Sequence, residues 1–321
     1  MVQTALRHDA SADESAFAHD VLTGLAAKPK RLSPKYFYDE IGSELFEQIT
    51  RLPEYYPTRC ELAILRDRAA DIAKLIPDNA ALIEFGSGST RKARMILSAA
   101  PSIAAYVPVD ISSEMLLQEA AELKHDFPQL SVLPVEADFT RPFRLPRGIN
   151  GHPRVGFFPG STIGNFEPHD AAAFLRHVAS RLESGAIVII GVDLIKDAKV
   201  LNAAYDDAAG VTAKFNLNLL TRINRELGGN FDLGAFCHQA FFNTERRRVE
   251  MHLASRKRQK VKVAGRSFEF RGGETIHTEN SYKYTVESFT AMARGSGWTP
   301  VAAWTDAKGY FSVQALAVTA G

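Results

Sequence analysis

Five apolar runs, each closed by Gly, Asp or Ser or by a residue next to one, constrain this 321-residue chain more than any other feature. They are AALIEFGSGS (80–89), AAYVPVDIS (104–112), LSVLPVEADF (130–139), RVGFFPGS (154–161) and AIVIIGVDL (186–194). Short Val, Ile, Leu and Phe runs of this kind suit parallel strands covered on both faces. The stretches between them read as crossover helices: TRKARMILSAA, SSEMLLQEAAELKHDF and PHDAAAFLRHVASRL, the last with Pro168 in a first helical turn. The pattern predicts an α/β doubly wound sheet, and such sheets gather ligands at the C-terminal ends of their strands.

Past Leu194 the periodicity changes. KVLNAAYDDAAGVTAKFNLNLLTRINREL reads as helical with a break at Gly210. In RRRVEMHLAS, Val249, Met251 and Leu253 share one strand face while Glu250 and His252 share the other, and Val261, Val263, Phe268 and Phe270 continue the alternation. A helix with Thr285 at its N-cap follows, then strands TPVAAWT and YFSVQALAV joined by DAKG, a hairpin able to complete the first sheet. The segment before Cys60 supplies that sheet with no strand. The expected organisation is a ligand-binding domain at 60–196 and 285–321 and a discontinuous α+β substrate-binding domain at 1–59 and 197–284.

Lys and Arg number 38 against 37 Asp and Glu, so no global field favours nucleic acid or an anionic membrane. The clusters Arg246-Arg247-Arg248 and Arg256-Lys257-Arg258-Gln259-Lys260 flank an expected hairpin and read as a solvated strand edge. Cys60 and Cys237 lie far apart, and no histidines pair at metal-ligand spacing, so neither a disulfide framework nor a metal is expected. No run approaches the ~20 apolar residues of a membrane span, and the N-terminus lacks a signal core, which points to the cytoplasm.

The strand ends carry the chemistry. Glu84-Phe85-Gly86-Ser87-Gly88-Ser89 is a glycine loop opening a helix, either a ligand loop or a plain βα turn. Asp110 ends the second run where a carboxylate can bind a ribose hydroxyl pair, and Asp138-Phe139 ends the third with a carboxylate and an aromatic face for adenine. Arg91 stands where the dinucleotide fingerprint needs its third glycine, which disfavours a nicotinamide-dependent oxidoreductase; a nucleoside-sensing or RNA-binding module without catalysis is the other rival. S-adenosylmethionine needs no pyrophosphate cradle. Asn165, in the loop PGSTIGNF, either orients a small polar substrate or tethers its own loop. Asp206-Asp207, beside a helical stretch, reads as helix capping rather than a catalytic pair.

PKYFYDEIGSELFEQITRLPEYYPTR, EFGSGSTRKAR, GSTIGNF, AYDDAAGVTAKFN, VEMHL and TENSYK together resemble the histidine-specific N-α-methyltransferase family over nearly the whole chain. The resemblance implies a Rossmann-like class I methyltransferase sheet and trimethylation of the α-amino group of L-histidine to hercynine, a step of ergothioneine biosynthesis. Its alternative is N-methylation of another small amino acid or amine. It further implies that Gly86, Lys92, Asp110, Asp138, Phe139 and Gly160 contact S-adenosylmethionine. Tyr55, Asn165 and Tyr205 would surround the amino acid's α-amino and carboxylate groups, with Glu279 and Ser281 at the imidazole, Met251 beside the ring and Tyr38 near the methylated nitrogen. Tyr38 and Asn165 are the catalytic pair so implied. The expected enzyme is a monomer. Asn280 and Tyr282 depart from the family pattern, which has apolar or small residues there.

Overall fold

The computed structural model describes residues 10–111 and 113–319. Residues 1–9 of the segment read as lacking a signal core lie outside the described residues. Two compact units are present, one from Met1–Leu52, Leu201–Phe242 and Val249–Glu279, the other from Pro53–Val200, Asn243–Arg248 and Asn280–Gly321. In chain order the strands are β1 (Lys30–Arg31), β2 (Ala81–Phe85), β3 (Ala105–Asp110), β4 (Ser131–Val132), β5 (Val135–Glu136), β6 (Arg154–Phe158) and β7 (Ile187–Asp193). There follow β8 (Phe236–Asn243), β9 (Arg248–Ser255), β10 (Gln259–Val263), β11 (Arg266–Phe270), β12 (Thr275–Tyr282), β13 (Trp298–Thr305) and β14 (Phe311–Val318).

The second unit holds the eight-stranded sheet, ordered β13-β14-β7-β6-β2-β3-β4 with β5 also on β3. Strands β2, β3, β6 and β7 run parallel, while β14 is antiparallel to both β7 and β13, so the C-terminal hairpin does complete the sheet. Strand side chains alternate between faces. Ala81, Ile83, Phe85, Val107 and Val109 pack with Phe174, Leu175 and Val178 of the helix Pro168–Leu182, whereas Leu82, Tyr106, Phe157 and Ile189 pack with Ile96 and Leu97 of the helix Arg91–Ala99. Both faces are covered, as the continuous apolar runs require.

One expected strand is broken. LSVLPVEADF supplies only the two-residue β4 and β5, both parallel to β3. Pro134 has no N–H to give the ladder, so pairing stops at Val132 and resumes at Val135.

The first unit contains the helices Ala10–Ala26, Glu40–Ile49 and Val211–Leu227, a four-stranded sheet ordered β1-β12-β9-β8, and the hairpin β10-β11. Alternation in the hairpin is as expected, with Val261, Val263, Phe268 and Phe270 buried. Both faces of β9 are buried, Glu250 included, where the sequence suggested one apolar face. Arg248, read as part of a solvated edge, is only 4% exposed. The helical segment breaks at Gly210, whose φ of 69° is left-handed and open to glycine without strain. Asp207 accepts from the Val211 and Thr212 amides at 2.9 and 2.7 Å, so it caps the helix as expected. Thr285 forms a full capping box with Ser288.

Burial opposes ionisation of Asp207, but the bonds from Thr212 and Val211 outweigh it and hold its carboxyl below the usual range. Its stabilisation is therefore present above the unfolded carboxyl pKa and lost as pH falls. Asp207→Ala should cost about 1–2 kcal/mol at neutral pH, measured by urea denaturation, and the gap from wild type should shrink on acidification.

Candidate active site

The C-terminal ends of β2, β3, β6 and β7 form a polar rim on an apolar sheet. After β2, the Gly86 amide donates to the Val109 carbonyl at 2.8 Å and the Gly88 amide to Asp110 Oδ2 at 3.0 Å. Gly86 has a φ of 72°, and a Cβ there would lie 3.3 Å from the Phe139 ring. Glycine thus brings the loop against Phe139. Asp138 Oδ1 accepts from the Thr140 amide at 3.0 Å and from its hydroxyl, an Asx turn that fixes this strand end.

After β6, the loop is pinned from below by Glu61, a residue the sequence reading passed over. Glu61 is 1% exposed, accepts the Gly160 amide at 2.9 Å with each carboxylate oxygen, and pairs with Lys92 Nζ at 2.6 Å. It fits only because residue 191 of β7 is glycine, since a Cβ there would come within 2.1 Å of Glu61 Oε1. Lys92 and Gly160 are thereby brought together, as Gly86 is with Phe139.

The same loop is clamped from the side. Glu167 accepts from Arg248 Nη1 and Asn280 Nδ2 on Oε1, each at 2.9 Å, and from the Tyr282 hydroxyl on Oε2 at 2.5 Å. Arg248 Nη1 also donates to the Tyr282 hydroxyl at 2.8 Å. Gly164 lies so close to β12 that a Cβ would stand 2.7 Å from the Tyr282 carbonyl oxygen. Asn280 and Tyr282, the two departures from the family pattern, thus have a common partner in Glu167. Between these holds lies Asn165, half-buried, whose side chain makes no hydrogen bond to any described residue. The loop-tethering reading of Asn165 therefore has no bond to support it.

At the end of β7, Asp193 is fully buried and receives Lys196 Nζ at 2.6 Å, Lys283 Nζ at 2.7 Å and the Tyr56 hydroxyl at 2.7 Å. Burial alone would raise its carboxyl, but the two ammonium groups hold it below the ordinary range. Burial pushes Lys196 down to about 8. Lys283 also donates to Ser281 Oγ at 2.7 Å. Tyr55 is buried at the start of the helix Tyr56–Asp67.

In the first unit, the Tyr38 ring lies edge-on to Phe46 and Phe215, with centroids 5.7 and 5.9 Å away. Tyr205 is buried and its carbonyl accepts from His238 Nε2 at 2.8 Å. Met251 is 2% exposed and Glu279 is 9% exposed, so Glu279 is not a solvated strand charge. Strand pairing also gathers Glu250, His252 and His277, which no sequence spacing revealed. The two imidazoles stack with centroids 4.7 Å apart and planes at 18°, and Phe241 extends the stack at 5.4 Å. A metal lies in the plane of each ring that ligates it, about 2 Å from the nitrogen, and stacked rings do not meet at such a point.

The pattern of histidine-specific, S-adenosylmethionine-dependent methyltransferases matches residues 17–318. The chain belongs to that family. It is 43% identical over 310 residues to the histidine N-alpha-methyltransferase of Mycolicibacterium smegmatis, covering 94% of this chain and 96% of the relative. Identity to the enzyme of that name from Mycobacterium tuberculosis is 41% over 308 residues, with 94% and 95% covered. Ergothioneine biosynthesis protein 1 of Neurospora crassa is 31% identical over 297 residues, which are 86% of this chain and 32% of that one. The family is S-adenosylmethionine-dependent, and the strand-end rim of this methyltransferase carries a glycine loop, an aromatic ring and carboxylates.

Glu61, Glu84, Glu167, Asp193 and Lys283 were not legible as site residues, although a charge inside an apolar strand run, as at Glu84 and Asp193, is itself a signal. Glu84 is 1% exposed in β2 and accepts from the Tyr106 hydroxyl. Burial pushes its carboxyl up to about 8, against the lowering effect of the Tyr106 bond and Lys92. The folded protein thus binds this proton more tightly than the unfolded chain. Glu84's favourable contribution is complete below the unfolded pKa of about 4.3 and is lost as pH rises to about 8. Glu84→Gln should therefore gain stability relative to wild type between pH 5 and 8 in urea titrations; a constant difference would contradict the burial cause.

Proposed function

We propose that this methyltransferase trimethylates the α-amino group of L-histidine to give hercynine, the reaction that would place it in ergothioneine biosynthesis. The observation that carries the acceptor side is Asn165: it lies in a loop held by Glu61 and Glu167, and its amide has no hydrogen-bond partner among the described residues. Asn165 is assigned to the amino acid's polar end with Tyr55 and Tyr205, Glu279 and Ser281 to the imidazole, Met251 to its flank and Tyr38 to the reacting nitrogen. The donor contacts are assigned to Gly86, Lys92, Asp110, Asp138, Phe139 and Gly160. The reading includes a cytoplasmic, monomeric enzyme that uses no metal, nucleic acid or membrane; among the described residues no helix is long and apolar enough to cross a membrane.

S-adenosylmethionine, when bound, supplies an electrophilic methyl group that passes in line to a neutral amine. The protein's own work is then alignment, exclusion of water and keeping the amine unprotonated. An α-amino group titrates near about 8 in solution, and a partly dry aromatic setting disfavours its cation, so no strong base is required. The Tyr38 face suits an ammonium that grows more substituted at each round, through cation–π attraction. Reaction ends when no lone pair is left.

Asp110→Ala should weaken S-adenosylhomocysteine binding by about 1.5–3 kcal/mol in calorimetric titration while the fold survives. Asn165→Ala should lower kcat/KM for histidine and leave that affinity nearly intact; equal loss of both would reduce Asn165 to a loop support. Wild type should reject phenylalanine, whose ring offers the buried Glu279 carboxylate no N–H, and tryptophan, whose indole is larger than imidazole. Glu279→Ala combined with a smaller residue at Met251 should depress histidine turnover and admit indole. Comparable wild-type turnover of all three amino acids would leave an amino-acid N-methyltransferase of another acceptor.

A further inference from the structure

Lys283 stands one residue past β12, its side chain wholly buried, and its ammonium reaches both Asp193 Oδ2 and Ser281 Oγ, each at 2.7 Å. An ammonium has three donors and no acceptor, so Ser281 Oγ accepts here and the Ser281 hydroxyl proton is directed away from Lys283. The anchor is firm. Asp193 is held by Lys196 and Tyr56 as well, and its own amide donates to Ser161 Oγ at 2.9 Å.

We propose that Lys283, anchored by Asp193, is a positioning residue that fixes Ser281 as a hydrogen-bond donor toward the acceptor's ring, so that the enzyme takes neutral imidazole and discriminates against imidazolium. The inference rests on the reading above that Ser281 faces the ring. A hydroxyl turned to donate needs a nitrogen with a lone pair, which neutral imidazole offers and imidazolium does not.

The charged and titratable groups around this centre are Asp193, Lys196 and Tyr56, with Cys60, Arg59, Asp306 and the Tyr310 ring beyond Lys196. On the strand itself stand Glu279, two residues before Ser281, and Tyr282 with its partners Glu167 and Arg248. The shifted groups among them lie outside the window of the test: Asp193 is held low, Lys196 titrates at about 8, Cys60 at about 11, and Tyr282 is raised.

The test compares kcat/KM for histidine and for β-(1,2,4-triazol-3-yl)alanine, whose ring is far less basic, from about pH 5 to 7 with the full-length enzyme at saturating S-adenosylmethionine. The ratio of histidine to triazole is expected to fall up to about tenfold per pH unit below the imidazole pKa of ~6.5. A ratio constant with pH in wild type overturns the proposal whether or not any variant folds. Lys283→Met should flatten the ratio and raise the histidine KM about tenfold, with S-adenosylhomocysteine affinity within about twofold of wild type, and Lys283→Arg should restore the pH dependence. A steep ratio that survives in folded Lys283→Met also overturns it. Two further results are separate: no turnover of histidine by wild type defeats the functional reading itself, and an unchanged histidine KM in Ser281→Ala defeats the contact on which this inference stands.

Discussion

One buried carboxylate, that of Asp193, ties together three parts of the chain that are remote in sequence. It ends β7, receives Tyr56 from the helix at residue 56, Lys196 from the turn that follows it and Lys283 from beyond β12. Two ammonium groups share one carboxylate here, so each bond is needed to offset the desolvation of the others. Breaking a buried pair by removing one partner typically costs about 3–5 kcal/mol, because the remaining charge has no water to return to. The loop after β6 is bound into the same arrangement through Ser161, so strand end, helix start and loop form one polar unit under the rim.

The proposed donor side has the same construction at smaller scale. Glu61 reaches from the helix Tyr56–Asp67 under β7, past the missing side chain of Gly191, to hold both Lys92 and the Gly160 amide. Lys92 is therefore already paired on one side and can offer a ligand only part of its charge. Glycine at 191 is a packing requirement of Glu61, not a flexible hinge.

How much was legible in the sequence follows from the range of each interaction. Strands and helices are local, so four of the five apolar runs, the break at Gly210 and the Thr285 cap stand where the periodicity put them. The third run failed for an equally local reason, the missing amide of Pro134, which was there to be read. The strand-end carboxylates followed from topology. The residues proposed for the substrate did not: Tyr55, Tyr205 and Met251 are indistinguishable from core by pattern and came only from the family resemblance. Arg248 was misread because its partners Glu167 and Tyr282 are 81 and 34 residues away, and a basic triplet looks solvated until they are found.

The parallel pairing of Lys30 with Ile276 and Arg31 with His277 has a consequence for how the chain is made. The first fifty residues leave the ribosome early, yet the strand that β1 joins is synthesised roughly 240 residues later. The unit they belong to is assembled from three separated segments, while the intervening chain builds most of the other unit's sheet. At translation rates of about 5–20 residues per second, the N-terminal segment waits on the order of ten seconds or more for its partners. Its apolar residues, Phe17, Val21, Leu25 and Phe37 among them, are buried in the finished unit, so their full burial waits for the later segments.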